Sequence, residues 1–260
     1  MCKARPALDQ RHFVIIGAGP AAAAAVETMR SEGFQGRITI VARESALPYD
    51  RTKLSKNMRL TVEEAALRPA SFYTEALGVE LRLGVAVASI DTALKTVVLE
   101  DGSVLPYDKV LCASGGPART FRKPEGFVIP GAEAGNIFAL REVGHAHAIE
   151  SAVNALGPDT AIVIVGSSFI GMEAAAYLSK TKGYTNVTVV GMETEPFERV
   201  LGPAIGAHMR AVHEAQGVRF RMNSVVSQFV PGAGGKVAKV VLKDGKGELP
   251  ANLVVIGCVV

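Results

Sequence analysis

Tryptophan is absent from the 260 residues, cysteine occurs only three times, and neither sign of charge dominates. No apolar run approaches the roughly 20 residues that a membrane-spanning helix requires. Cys2, Cys112 and Cys258 are odd in number and far apart, which excludes a disulfide framework and fits a reducing compartment. A dithiol redox centre needs two thiols a few residues apart, so Cys112 reads instead as a small buried hydrophobe. The net charge is +3, with no block of five or six like charges, which argues against nucleic acid or an acidic membrane surface as partner. Histidines at 12, 145, 147, 208 and 213 form no ligand cluster, and no metal is expected. No glycine–lysine phosphate loop and no serine elbow occurs, which disfavours nucleotide hydrolysis and serine-hydrolase chemistry. The N-terminus, MCKARPALDQ, has no apolar signal core. The expectation is an intracellular protein, cytoplasmic or mitochondrial.

What is present is a globular composition, 48% hydrophobic and 20% charged, with 27 glycines and length enough for two domains. Strand and helix signals alternate along it. FVII (Phe13–Ile16) is an apolar strand, Ala21–Arg30 a helix of good formers, and RITIVA (Arg37–Ala42) the next strand. Leu60–Leu77 carries helical pieces interrupted by Pro69. VELRLG, VAVASID, KTVVLEDGSVL and KVLCASGG follow, and the Asp101-Gly102 turn predicts a small antiparallel insert before the strand Lys109–Ala113. Arg119–Gly135, rich in proline, glycine and charge, reads as a connecting loop. Helix resumes over Arg141–Leu156. A second strand–helix–strand then comes from AIVIVG, a helix over Met172–Lys180, and NVTVVG (Asn186–Gly191). A helix near Gly206–Gln216, strands VRFRMN and KVAKVVLKDG, and LVVIG ending at Gly257 complete the pattern. The class expected is α/β: two Rossmann-like, three-layer dinucleotide-binding units with parallel sheets and a small antiparallel β insert. The domains expected are 11–148 and 149–260.

Two glycine clusters carry the chemistry. Gly17, Gly19 and Ala22 give G-x-G-x-x-A directly after a strand and at the head of a helix. The first glycine permits the tight turn, the second lets backbone approach a pyrophosphate, and a small third residue lets helix and strand pack closely. The helix N-terminus, with Pro20 and Ala21 in its first turn, offers N–H groups and positive potential to phosphate. Glu44 lies 22 residues past Ala22, where a ribose-binding acid is expected. The second cluster, Gly166-Ser167-Ser168-Phe169-Ile170-Gly171, keeps the first and third glycines and has Ser168 in the middle. Gly191 stands where an acid is usual, and the nearest carboxylate, Glu193, lies 22 residues past Gly171. Gly257, closing LVVIG, joins this second set. Two such folds in one chain point to a flavin adenine dinucleotide (FAD) in one and a nicotinamide dinucleotide in the other.

Between the clusters stands ESALPYDRTKLSKNM (Glu44–Met58). Its LPY-x-R-x-x-LSK pattern resembles the FAD-dependent pyridine-nucleotide oxidoreductases of the ferredoxin-reductase and apoptosis-inducing-factor type. Val87 in GVAVASID, Ala113-Ser114-Gly115-Gly116, IPG at Ile129–Gly131, IFALR ending at Arg141, and G-x-E at Gly171–Glu173 match in order. GSSFIGMEAAAYL with TEPFERVLGP is most similar to the apoptosis-inducing-factor-3-like branch. The resemblance implies that Arg51 and Lys56 touch the FAD, with the lysine near the reactive edge of the isoalloxazine. It places Glu173 on the nicotinamide side, paired with Lys56, and these two are the candidate catalytic residues. Val87 would meet the adenine, Ser114 and Gly115 would pass close to the flavin, and Arg141 would reach the FAD phosphates or flavin edge. The first ribose acid of the closest patterns aligns with Arg43, so Arg43 and Glu44 both stay candidates. The implied activity is hydride transfer from NAD(P)H to FAD, then electron transfer to an iron–sulfur protein or a quinone-type acceptor. NADH is the expected nucleotide, with NADPH the alternative. The chain stops at LVVIGCVV, inside its last strand, where the family returns to the FAD domain and adds an interface domain. A C-terminally truncated chain is therefore expected. The alternative functions are a non-catalytic dinucleotide-binding or redox-sensing module, or an inactive fragment of such a reductase.

Overall fold

A computed structural model describes residues 9–122 and 128–258. Cys2 and most of the N-terminal stretch lie outside the described residues, as do 123–127 of the connecting loop and the last two residues of LVVIGCVV. The described chain divides into two compact units. One takes the chain up to Asp50 together with Thr61–Gly116; the other takes Arg51–Leu60 together with the chain from Pro117 onward.

The first unit is built on a parallel sheet of β1 (His12–Ile16), β2 (Arg37–Ala42), β3 (Val79–Leu83) and β7 (Lys109–Cys112), in the order β3-β2-β1-β7. Val14, Ile15, Ile38, Ile40 and Val41 are fully buried, as expected of β-branched runs covered on both faces. One face carries α1 (Pro20–Ser31) and a π-helical turn at Phe72–Ala76. Ala22, Ala23 and Val26 of α1 pack there with Ile15, Ile38 and Tyr73. Small alanines let the helix axis sit close to the sheet. The other face carries the antiparallel insert, β4 (Val87–Asp91), β5 (Thr96–Leu99) and β6 (Val104–Pro106), whose Val97, Leu99 and Leu105 meet Val14 and Val41. Three layers result, and the insert stands where the Asp101-Gly102 turn placed it. Leu60–Leu77 yields less helix than its composition predicts. It forms only α2 (Val62–Ala65), with a Thr61/Glu64 capping box, and the π turn after Pro69. Cys112 corrects the reading of a buried hydrophobe: it is exposed, because β7 lies at the sheet edge.

The second unit repeats the plan. Its parallel sheet joins β8 (Ile137–Ala139), β9 (Ile162–Val165), β10 (Val187–Val190), β11 (Arg219–Arg221) and β15 (Leu253–Ile256) in the order β11-β10-β9-β15-β8. A second antiparallel sheet, β12 (Val226–Pro231), β13 (Val237–Leu242) and β14 (Glu248–Pro250), covers one face. There Phe229, Val237 and Val240 pack on Val163, Val165, Val254 and Ile256. Side chains alternate along a strand, so Ile162, Ile164, Leu253 and Val255 face the other way, toward α3 (Val143–Leu156) and α4 (Phe169–Ala176). The short α5 (Glu198–Leu201) and the longer α6 (Pro203–Glu214) complete the unit. Alternation alone did not anticipate this second antiparallel layer, or β8. Because β8 pairs with β15, the segment before α3 belongs to this sheet, and in the division into compact units the chain from Pro117 onward falls in the second unit. The helix expected over Met172–Lys180 begins earlier, at Phe169, and passes into a π turn at Tyr177–Thr181.

Candidate cofactor sites

The two glycine corners share one backbone plan. In the first unit Gly17 N–H donates to Val41 O (2.7 Å), Ala23 N–H to Gly19 O (3.1 Å) and Ala113 N–H to Ile16 O (2.8 Å). In the second, Gly166 N–H donates to Val190 O (2.9 Å), Met172 N–H to Ser168 O (2.9 Å) and Gly257 N–H to Val165 O (2.8 Å). The same turn therefore leaves the same strand end, between the same two neighbouring strands, twice.

Each glycine of the first corner has a separate reason. Gly17 has φ +112°, and a Cβ there would lie 2.3 Å from Ala113 O. Gly19 caps α1 at φ −95°, ψ −176°, and a Cβ there would meet no protein atom within 4 Å. Nothing in the fold requires glycine at 19, so the open space above the helix N-terminus fits a ligand that must touch backbone. No side chain caps α1, and Pro20 opens it, so the first-turn N–H groups of Ala21 and Ala22 point toward that space. Ser114 and Gly115 follow Ala113 beside Gly17. Arg43 is exposed and Glu44 half-buried just past β2, where Glu44 Oε2 accepts a hydrogen bond from the buried Tyr49 hydroxyl (2.8 Å). Val87 is half-buried in the antiparallel layer, packed against the cluster that holds Val14 and Val41. These residues fit the diphosphate and ribose of a dinucleotide.

In the second corner Gly171 meets Gly166 O, where a Cβ would come to 2.0 Å, and Gly257 in turn packs on the Gly171 backbone. Three glycines thus press α4 onto the ends of β9 and β15. Ser168 caps α4 without a side-chain hydrogen bond. Phe169 is 45% exposed and packs edge-on to Phe197, and Ile170 lines a cavity of about 20 Å³ with Arg119, Arg141, Ile256 and Cys258. Burial pushes the Cys258 thiol up, away from thiolate chemistry. Glu193 is fixed from two sides. Ser167 Oγ donates to Oε2 (3.2 Å), and Arg199 Nε contacts Oε1 (2.7 Å). A Cβ at Gly191 would meet Ser167 Oγ at 2.5 Å, so the usual acid position is filled by that serine.

The segment 51–60 belongs to this unit and carries Lys56, whose partner in the candidate catalytic pair, Glu173, lies on α4. A 3-10 turn at Arg51–Lys53 starts it, and Leu54, Ser55 and Met58 form its buried face. Lys56 Nζ lies 3.0 Å from Glu173 Oε1 and donates to Thr52 O (2.8 Å). Arg51 Nη1 donates to Arg141 O (3.0 Å), which brings those two candidates together through the backbone of one and the side chain of the other. The far end is held by His147 Nε2 at Leu60 O (2.9 Å) and by Arg59 at Glu150 (2.8 Å).

Glu150 itself is 8% exposed and gathers four donors. Oε1 accepts from Arg59 Nε, Lys182 Nζ (2.9 Å) and Asn154 Nδ2 (3.2 Å), and Oε2 from the Tyr177 hydroxyl (3.0 Å). Burial alone would raise this carboxyl, but the Lys182, Arg59 and Tyr177 hydrogen bonds outweigh it and hold it at about 2. Burial, with the adjacent carboxylate, pushes the Tyr177 phenol up to about 12. Neither Glu150 nor Ser55 is singled out by the sequence pattern; the only signal for Ser55 is its place in the LSK triplet. Among the described residues no helix is long and apolar enough to cross a membrane, and no group of His, Cys, Asp and Glu could hold a metal ion.

The family described as pyridine nucleotide-disulphide oxidoreductase matches residues 11–258. Apoptosis-inducing factor 3 of Homo sapiens is 37% identical over 246 residues, covering 95% of this chain and 38% of that protein. The ferredoxin–NAD(+) reductase subunit of the benzene 1,2-dioxygenase system of Pseudomonas putida is 32% identical over 246 residues, covering 94% of this chain and 57% of that one. Among solved structures, the covalent putidaredoxin reductase–putidaredoxin complex aligns with a TM-score of 0.82 and 30% identity, over 96% of this chain and 58% of that chain. The chain spans less than two thirds of the length of each.

Proposed function

The chain belongs to the pyridine nucleotide-disulphide oxidoreductase family, and on that premise we propose that it is a flavoprotein reductase that accepts hydride from NADH and passes electrons to an iron–sulfur protein or a quinone-type acceptor. The observation that carries this reading is the duplicated corner: two glycine turns with one hydrogen-bond plan in one chain. FAD in the first unit would accept a hydride and release electrons singly. Gly17, Gly19 and the α1 N-terminus would hold its diphosphate, with Glu44 or Arg43 at the ribose. Val87, Ser114 and Gly115 would contribute further contacts. Gly166, Ser168, Phe169, Ile170, Gly171 and Gly257 would hold the nicotinamide nucleotide. Lys56 presents a cation and Glu173 fixes where it sits; Arg51 and Arg141 add positive charge for phosphate. The acceptor class follows the names of the relatives, a ferredoxin reductase and a reductase bound to putidaredoxin. An intracellular location would fit the sparse, odd-numbered cysteine pattern.

NADH is favoured over NADPH because the Glu193 carboxylate, held by Ser167, would repel a 2′-phosphate. Glu193→Gln removes that charge and releases Arg199. It is expected to shift the NADPH:NADH ratio of kcat/KM toward NADPH by about 10-fold, equivalent to about 1.4 kcal/mol, read from initial rates with both nucleotides.

The direct test is to purify the chain with FAD and record its spectrum. Flavin absorbance that bleaches on anaerobic addition of NADH supports the reductase. A colourless protein that still quenches NADH fluorescence on binding would replace it with a dinucleotide-binding module.

A further inference from the structure

Ser55 is 3% exposed, and its hydroxyl donates to Glu173 Oε2 at 2.5 Å. Among the described residues its other acceptor, Thr52 O, is 3.4 Å away, too long to compete for the single hydroxyl proton. The other carboxylate oxygen, Oε1, takes Lys56 Nζ. We propose that Ser55 is a positioning residue for the Lys56–Glu173 pair: its hydroxyl holds the Glu173 carboxylate in the orientation that presents Oε1 to the Lys56 ammonium.

The physical case rests on what the pair lacks without it. The Lys56 side chain is 55% exposed and that of Glu173 25% exposed. Each has several rotatable bonds, and an exposed ion pair between such chains gains little over its ordering cost. Glu173 therefore needs a second, buried contact to stay in one rotamer. A charge-assisted bond from a buried hydroxyl is short and strong enough to do this. Ser55 can provide it because the segment carrying it is clamped. Leu54 and Met58 on the same face are 1% and 0% exposed, and Arg51, Arg59 and Leu60 are tied down at the two ends. Thr52 O, accepting from Lys56, fixes the ammonium from the other side. The consequence for hydride transfer rests on the reductase reading above; the orientation of the pair does not.

Two measurements test it separately. In the cofactor-free chain, lysine-selective 1H–15N NMR is expected to show an ordered Lys56 ammonium signal, assigned by its loss in Lys56→Met. Ser55→Ala should abolish that signal and Ser55→Thr should retain it. Should alanine impair folding, Ser55→Cys, near in size but a weak donor, gives the same reading. In the FAD-loaded protein, stopped-flow reduction by NADH should slow about 10-fold in Ser55→Ala and in Lys56→Met, and the double variant should be no slower than Lys56→Met alone. A Lys56 signal unchanged in Ser55→Ala, or rate losses that multiply to about 100-fold, would overturn the proposal. Should the wild-type flavin not be reduced by NADH, the reductase reading fails and the ammonium signal still decides the role of Ser55.

Discussion

Replacing Gly17 by alanine is expected to destabilise the first unit by about 2–6 kcal/mol and to empty it of flavin, whereas Gly19→Ala should lose flavin with its fold intact. Gly17 has φ +112°, a backbone state that costs a side-chain-bearing residue about 1–3 kcal/mol. Its Cβ would also lie 2.3 Å from Ala113 O, on a residue whose N–H is held by Ile16 O, and overpacking there adds about 1–3 kcal/mol. Gly19 has an extended conformation open to any residue and nothing within 4 Å. Alanine there costs only the small N-cap difference, under about 1 kcal/mol. Its methyl group would stand where the cofactor phosphates meet the helix N-terminus, so flavin affinity should fall at least about 10-fold, a loss of about 1.4 kcal/mol. Urea unfolding followed by flavin content per chain separates the two. Equal stability losses at 17 and 19 would show that both glycines serve the turn and neither serves a ligand.

The second large effect is expected at Glu150. Glu150→Gln should destabilise the chain by roughly 3 kcal/mol near neutral pH, with the deficit narrowing in acid. The carboxyl titrates at about 2 in the folded chain, against an ordinary glutamate value of 4.5. A depressed folded value means the stabilisation is complete above the unfolded value and is lost as pH falls from about 4.5 through about 2. The difference between wild type and Glu150→Gln should therefore be constant from pH 8 to 6 and fall to about half by pH 3. Lys182 accentuates the effect. Its side chain is 11% exposed, and with glutamine opposite it becomes a buried cation without a counter-charge. Denaturant midpoints at several pH values check this; a deficit independent of pH would mean that shape, not charge, sets the role of Glu150. The same change should loosen Arg59 and with it the far end of the segment that carries Ser55 and Lys56.

Much of the site was legible because its determinants are local. A strand, a glycine with positive φ, a second glycine and an uncapped helix all fall within Phe13–Arg30, and the copy within Ala161–Ala176 obeys the same rules. Such geometry depends on backbone torsions and close packing between sequence neighbours, which residue type dictates directly. The LPY-x-R-x-x-LSK stretch was legible as a pattern but not as a mechanism. Its Tyr49 binds Glu44, its Arg51 binds a carbonyl, and its Ser55 and Lys56 both reach Glu173, contacts invisible in the string itself.

By itself, then, the sequence determined the α/β class, the two glycine corners with their strands and helices, and the antiparallel insert at Asp101-Gly102. Tertiary structure decided the rest: that Cys112 lies exposed on an edge strand, that residues 51–60 and β8 join the second unit, and that a second antiparallel sheet covers it. It also decided which charges meet. Ser55 and Glu173 are 118 residues apart in the chain, Arg59 and Glu150 91 apart, and Ser167 and Glu193 26 apart. A serine or glutamate at such positions has the same local propensities whether it faces water or a buried partner. Only the packing of strands and helices brings those side chains within hydrogen-bond reach, and only there do their energies depart from those of surface residues.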